Sequence, residues 1–138
     1  MTLVVDASVV VAALVDGGDT GRWAVELFGA GPLAAPQLLP VEVANVLRRS
    51  QLAGQISADV ASLAHADLLD LRIELLPYAA VAERTWELRE AITPYDAWYV
   101  ASAEVLEAPL ATLDRKLARS RGARCRFLLP GEPVAPGP

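Results

Sequence analysis

Four carboxylates occupy positions where chemistry is a reasonable explanation for them. Asp6 follows the apolar run Leu3-Val4-Val5, and Asp114 follows Leu110-Ala111-Thr112-Leu113. Glu42 lies just after Pro40, among Val41, Val43, Ala44, Val46 and Leu47. Asp96 lies two residues after Pro94, flanked by Tyr95, Trp98, Tyr99 and Val100. Each has a local explanation. Asp6 and Asp114 can cap the segments that follow them, and Glu42 and Asp96 can complement the dipole of a first helical turn. A carboxylate among large apolar neighbours is nevertheless costly to bury without a partner. If the four meet, they repel one another, so convergence requires a cation. Magnesium takes oxygen ligands and keeps several waters. Such a site can activate water and steady the leaving oxygen of an in-line phosphodiester cleavage. Three neutral polar residues stand beside the acids. Ser8 can hydrogen-bond a carboxylate, Asn45 lies one helical turn after Glu42, and Thr112 alternates to the same side as Asp114.

The elements that must carry these residues are legible as alternating strands and helices. Strands are expected at Leu3–Val5, Leu33–Ala35, Ile73–Leu76 and Leu110–Leu113, with a last edge strand at Arg126–Leu129. Helices are expected from Ala7 to Leu14, Thr20 to Phe28, Pro40 to Ala53, Ser57 to Leu71, Ala79 to Ala91 and Pro94 to Leu106, with a short one from Arg115 to Arg119. Pro40 and Pro94 suit first turns, where the missing N–H costs nothing. Gly54 stops the helix before it, and Ser57 caps the next. This alternation predicts an α/β fold with a parallel sheet covered on both faces. Ligands in such sheets bind beyond the carboxyl ends of the strands, which is where Asp6 and Asp114 fall.

Composition narrows the function classes. The chain has 138 residues, 54% of them hydrophobic, enough for a full core and too many for wholesale disorder. No apolar run reaches the roughly 18 residues of a membrane span, and no basic region precedes the first apolar run as in a secretory signal. One cysteine, Cys125, excludes an internal disulfide and a cysteine-cluster zinc site. A cytoplasmic location is the resulting expectation. The net charge of −5 argues against a passive nucleic-acid coat. Yet Arg115, Lys116, Arg119, Arg121, Arg124 and Arg126 hold half of the 12 basic residues, a local patch suited to phosphate. His65 has no histidine or cysteine partner, Cys125 reads as inert, and Trp23, Trp86 and Trp98 read as packing residues.

Taken in order, Val4-Val5-Asp6-Ala7-Ser8, Glu42-x-x-Asn45-x-Leu47, Tyr95-Asp96-Ala97-x-Tyr99-Val100-Ala101 and Thr112-x-Asp114-x-x-Leu117 resemble the four motifs of PIN domains. The resemblance runs from Leu3 to about Leu129, and length and motif order look like the VapC toxins of bacterial toxin–antitoxin pairs. It implies a three-layer sandwich, with a central, mostly parallel sheet of four or five strands and helices on both faces. Residues 1–129 would form the PIN domain and residues 130–138 a flexible tail. It also implies an endoribonuclease using Mg2+ or Mn2+, with Asp6, Glu42, Asp96 and Asp114 as catalytic, metal-holding acids. Ser8, Asn45 and Thr112 would support them, and Arg115, Lys116, Arg119 and Arg121 would contact RNA. A homodimer and a cognate antitoxin whose tail occupies the groove beside the active site follow from the same resemblance. Some relatives carry a further acid just after the fourth motif; Lys116 and Leu117 occupy that region here. A receiver domain is disfavoured because Lys116 is the sole lysine and no second acid adjoins Asp6. A haloacid-dehalogenase phosphatase is disfavoured because Asp6-Ala7-Ser8 lacks the second aspartate of its nucleophile pair. A nuclease of RNA processing unrelated to toxins, or a non-catalytic module on the same fold, are the remaining alternatives.

Overall fold

A computed structural model of the chain describes residues 1–132. Five strands form one sheet: β1 (Leu3–Val5), β2 (Leu33–Pro36), β3 (Ile73–Leu76), β4 (Leu110–Ala111) and β5 (Phe127–Leu128). Their order is β3-β2-β1-β4-β5, and every pairing is parallel. The central strands are apolar throughout because both faces are covered. Val4, Val5, Ala34, Ala35, Leu110 and Ala111 are fully buried.

Among the described residues there are six α-helices: α1 (Ala7–Val15), α2 (Asp19–Phe28), α3 (Leu39–Leu52), α4 (Ala58–Asp70), α5 (Ala82–Glu87) and α6 (Pro94–Val105). From β1 the chain steps outward to β2 and β3, with α1–α4 in the connections. It then crosses back through α5 and α6 to reach β4 on the other side of β1. With right-handed crossovers, that reversal puts α1–α4 on one face and α5–α6 on the other. The packing agrees: α1 contacts α2, α3 and α4, whereas α6 contacts α5 and the strands β1, β2 and β4. The expected three-layer α/β sandwich is therefore observed, with a sheet that is wholly parallel. Its order reverses between β1 and β4, and a crevice for ligands opens at their carboxyl ends.

Local chemistry sets the boundaries. Asp6 caps α1, Ser57 caps α4 and Thr93 caps α6, each accepting from a backbone N–H in the first turn. Pro40 and Pro94 lie in the first turns of α3 and α6. Three expected elements differ. The helix expected from Ala79 to Ala91 is a 3-10 turn at Tyr78–Ala80, the short α5 and a closing turn. Val81, at φ −133 and ψ 15, breaks the helical path. Pro94 then holds Thr93 extended, which ends the turn that follows. β4 stops at Ala111, two residues early, because the Leu113 N–H bonds to Ser8 Oγ rather than to a strand. The helix expected at Arg115–Arg119 is a 3-10 turn at Leu117–Arg119. β5 is Phe127–Leu128, inside the expected Arg126–Leu129. Of the tail expected at 130–138, residues 133–138 lie outside the described residues. No helix among the described residues is long and apolar enough to cross a membrane.

Candidate active site

Asp6 is the hub of a hydrogen-bond network at the carboxyl ends of β1 and β4. It is 9% exposed and makes three bonds with its carboxylate. Oδ1 accepts from the Val9 N–H at 3.1 Å and from Ser8 Oγ at 2.5 Å, and Oδ2 accepts from Thr112 Oγ1. Ser8 Oγ in turn accepts from the Leu113 N–H at 3.2 Å, and Thr112 Oγ1 accepts from the Asp114 N–H at 3.0 Å. The end of β1 and the end of β4 are thus stitched together through side chains. That network orients Asp6 and also fixes the turn that presents Asp114. Asp114 Oδ1 accepts from the backbone of Lys116 at 2.9 Å and Leu117 at 3.0 Å, which leaves Oδ2 free of hydrogen bonds among the described residues.

Glu42 enters from the first turn of α3 and Asp96 from the first turn of α6. Tyr99, one helical turn after Asp96, donates its hydroxyl to Glu42 Oε1 at 2.5 Å. Burial pushes the Asp6 carboxyl above its ordinary value against the bonds from Ser8, Thr112 and Val9, and the charge of Asp96 adds to the push. Glu42 is raised by burial, with Asp96 and Asp6 adding to it and the Tyr99 bond opposing. Asp96 is raised by burial and by Asp114. Asp6, Glu42 and Asp96 thus each respond to another of the acids, and Asp114 acts on Asp96, which links all four in one electrostatic neighbourhood. The Tyr99 phenol is pushed far up by burial and by Glu42, so it stays a proton donor.

Among the described residues no arginine or lysine forms an ion pair with any of the four acids. No three of these side chains close into a ready-made ligand cage among the described residues. The donors are all carboxylate oxygens, the ligand type that a hard ion such as magnesium takes. Tyr99 escaped sequence reasoning, although its place three residues after Asp96 on one helical face was a usable signal.

The supporting residues divide. Ser8 and Thr112 bind Asp6 directly. Asn45 is exposed on α3 and makes no hydrogen bond to the acids among the described residues. The basic stretch also divides between two depressions. Lys116, Arg119 and Arg121 line an open groove of about 840 Å³ with Asp96 and Asp114. Arg115 is exposed and lies outside that lining. Arg124 and Arg126 line a separate depression with Met1, Ala108 and Pro109, where β1, β4 and β5 begin. A parallel sheet has its strand starts and strand ends at opposite edges, and the short loop before β5 carries the chain from one to the other. His65 is exposed, without a histidine or cysteine partner. Burial pushes the Cys125 thiol up to about 11, which keeps it protonated and inert. Trp23 is buried, but Trp86 is 59% exposed, which removes it from the core.

Comparison with known proteins gives a consistent result. The PIN domain family model matches residues 3–122. Ribonuclease VapC1 of Mycobacterium tuberculosis is 39% identical over 127 residues, covering 91% of this chain and 96% of that protein. VapC ribonuclease Mb0985 of Mycobacterium bovis is 36% identical over 123 residues, covering 89% of this chain and 94% of that protein. The crystal structure of VapBC2 from Rickettsia felis, bound to a DNA fragment from its promoter, superposes with a TM-score of 0.66. It is 17% identical and covers 94% of this chain and 98% of the matched one, a likeness of fold.

Proposed function

This chain belongs to the PIN-domain family, and from that premise we propose that it is a VapC-type toxin: a metal-dependent endoribonuclease held in check by a cognate antitoxin. The observation that carries the reading is the set of unpaired acids. Asp6, Glu42, Asp96 and Asp114 come from four separate elements, burial and neighbouring carboxylates raise the proton affinity of the first three, and no basic side chain among the described residues forms an ion pair with any of the four. Relatives named as VapC ribonucleases over more than nine-tenths of their own length support the activity. The Rickettsia felis VapBC2 pair supports the antitoxin as partner. The nuclease unit is residues 1–129, and the active form is a homodimer.

In this reading Asp6, Glu42, Asp96 and Asp114 would hold Mg2+ or Mn2+. When bound, the ion supplies the charge that activates a water nucleophile and steadies the leaving oxygen. Ser8 and Thr112 keep both Asp6 oxygens oriented, so little reorganisation is needed when the ion and RNA arrive. Tyr99 holds Glu42 by one oxygen, leaving the other for water or metal. Lys116, Arg119 and Arg121 bind phosphates along the groove.

The test is RNA cleavage with magnesium, with manganese and with EDTA, comparing the wild type with Asp6→Asn and Asp96→Asn. Cleavage by the wild type with either metal, abolished by EDTA and by both substitutions in folded protein, is the expected result. Cleavage that persists in EDTA sinks the metal-dependent mechanism.

A further inference from the structure

The groove beside the acids has two walls of different origin. One is built from Lys116, Arg119 and Arg121 after β4. The other is the turn between α5 and α6, which leads from Arg89 to Asp96. Asp96 belongs to the second wall and Asp114 precedes the first in the chain, and both line the groove, where their charges interact. The walls join where Leu88 packs against Gly122. A Cβ at Gly122 would stand 3.3 Å from Leu88 Cδ2, and its φ of +84 is one that side chains rarely adopt. Arg89 follows Leu88 and Arg121 precedes Gly122 in the chain, and both cations line the groove.

Arg89 is held in place, unlike a typical exposed arginine. Its guanidinium lies 4.5 Å over the ring of Trp86, and its Nη1 donates to the Trp86 carbonyl at 2.9 Å. Trp86 is 59% exposed, so the stack sits on the surface and is not a core contact. Stacking spends one face of the guanidinium, and the carbonyl takes one N–H. The other N–H groups remain for a planar, bidentate acceptor such as phosphate. Glu90 also lines the groove and sets a limit on the local positive charge.

We propose that Arg89, pre-oriented by Trp86, is an RNA-positioning residue that grips a backbone phosphate in the same groove as Lys116, Arg119 and Arg121. The inference rests on the ribonuclease reading for its ligand. It assigns a role to two residues outside the four motifs, and it explains an exposed tryptophan whose partner is a cation at the mouth of the site.

A phosphate contact is independent of sequence, so a fluorescein-labelled, mixed-sequence oligoribonucleotide is an adequate probe. Binding is measured by anisotropy across a salt series, with magnesium present and in an Asp96→Asn background that prevents cleavage. Arg89→Ala should weaken binding roughly 5–10-fold at low salt and reduce the slope of log K against log salt by about 0.7, one single-strand phosphate. Trp86→Ala should give a smaller loss, and Trp86→Phe, which keeps a ring under Arg89, should restore most of it. Arg89→Ala that matches its parent in affinity and slope, with an unchanged melting temperature, overturns the proposal. So does Trp86→Phe that is as impaired as Trp86→Ala. Failure of the wild type to cleave RNA would instead sink the nuclease reading, while the lost slope would still support the contact.

Discussion

Helix α6 carries a carboxylate near each end, and the two are treated in opposite ways. Glu104, near its carboxyl end, is clamped. Arg84 Nε donates to it at 2.7 Å and Arg84 Nη2 at 3.3 Å, and the Arg124 N–H donates at 2.7 Å. Arg84 also reaches the Gly122 carbonyl at 2.6 Å and Glu87 at 3.2 Å. Burial alone would raise Glu104, but Arg84 and the Arg124 N–H outweigh it and hold the carboxyl below its ordinary value. Asp96, near the amino end, has no side-chain partner among the described residues, and burial and Asp114 raise it. One acid ties α5 and α6 to the loop before β5. The other keeps its charge available. Counter-charge, and not exposure alone, separates these two carboxylates of one helix.

The largest expected effect is at the unpaired end. Asp96→Asn should lower RNA cleavage more than about 100-fold, beyond the loss typical of an outer-shell partner. Because the change removes a repelled charge, the melting temperature without metal should stay level or rise. Asp96 is a cleaner probe than Asp6, whose carboxylate also caps α1 and binds Thr112. The reverse pattern is expected at Glu104. Glu104→Ala strands the Arg84 guanidinium and the Arg124 N–H, and should cost about 2 kcal/mol in urea unfolding, with cleavage per folded molecule unchanged.

The pH dependence should divide in the same way. In metal-free protein Asp96 has a folded-state affinity for protons above that of the unfolded chain. Its contribution to stability therefore falls as pH rises from its ordinary value of 3.8 through its higher folded value. Glu104 is lowered, so its contribution is present above its ordinary value of 4.5 and is lost as pH falls below it. Denaturant titrations across that range should show Asp96→Asn gaining on the wild type as pH rises, and Glu104→Ala losing to it. Parallel curves for wild type and both variants would erase the distinction. The smallest effect is expected at Asn45: exposed and unbonded to the acids, Asn45→Ala should change cleavage less than about 10-fold and stability within about 0.5 kcal/mol.

The sequence allowed the acids to be found because each stands at an element boundary that other residues mark. Strand β1 runs into Asp6, Pro40 precedes Glu42, Pro94 precedes Asp96, and β4 runs toward Asp114. The parallel sheet was legible for the same reason, since its central strands are short, apolar and separated by helical periods. What escaped depends on distance in space. Thr112 and Leu113 looked like strand, but the first turns to Asp6 and the second bonds to Ser8, and neither partner is close in sequence. Val81 hides a break inside an amphipathic pattern. The arginines from 115 to 126 form one patch on paper, yet the chain passes from the strand ends to the strand starts between Arg121 and Arg124. Arg89 belongs to the groove because Leu88 meets Gly122, a contact that no spacing rule would reveal.

The central claim is that these acids together hold a divalent ion, and manganese binding followed by electron paramagnetic resonance tests it without requiring a known RNA target. The wild type should deplete the free-ion signal with saturable stoichiometry. Asp6→Asn and Asp96→Asn should each abolish that uptake while remaining folded, and Glu104→Ala should retain it. Equal manganese uptake by the wild type and both site variants would contradict the account.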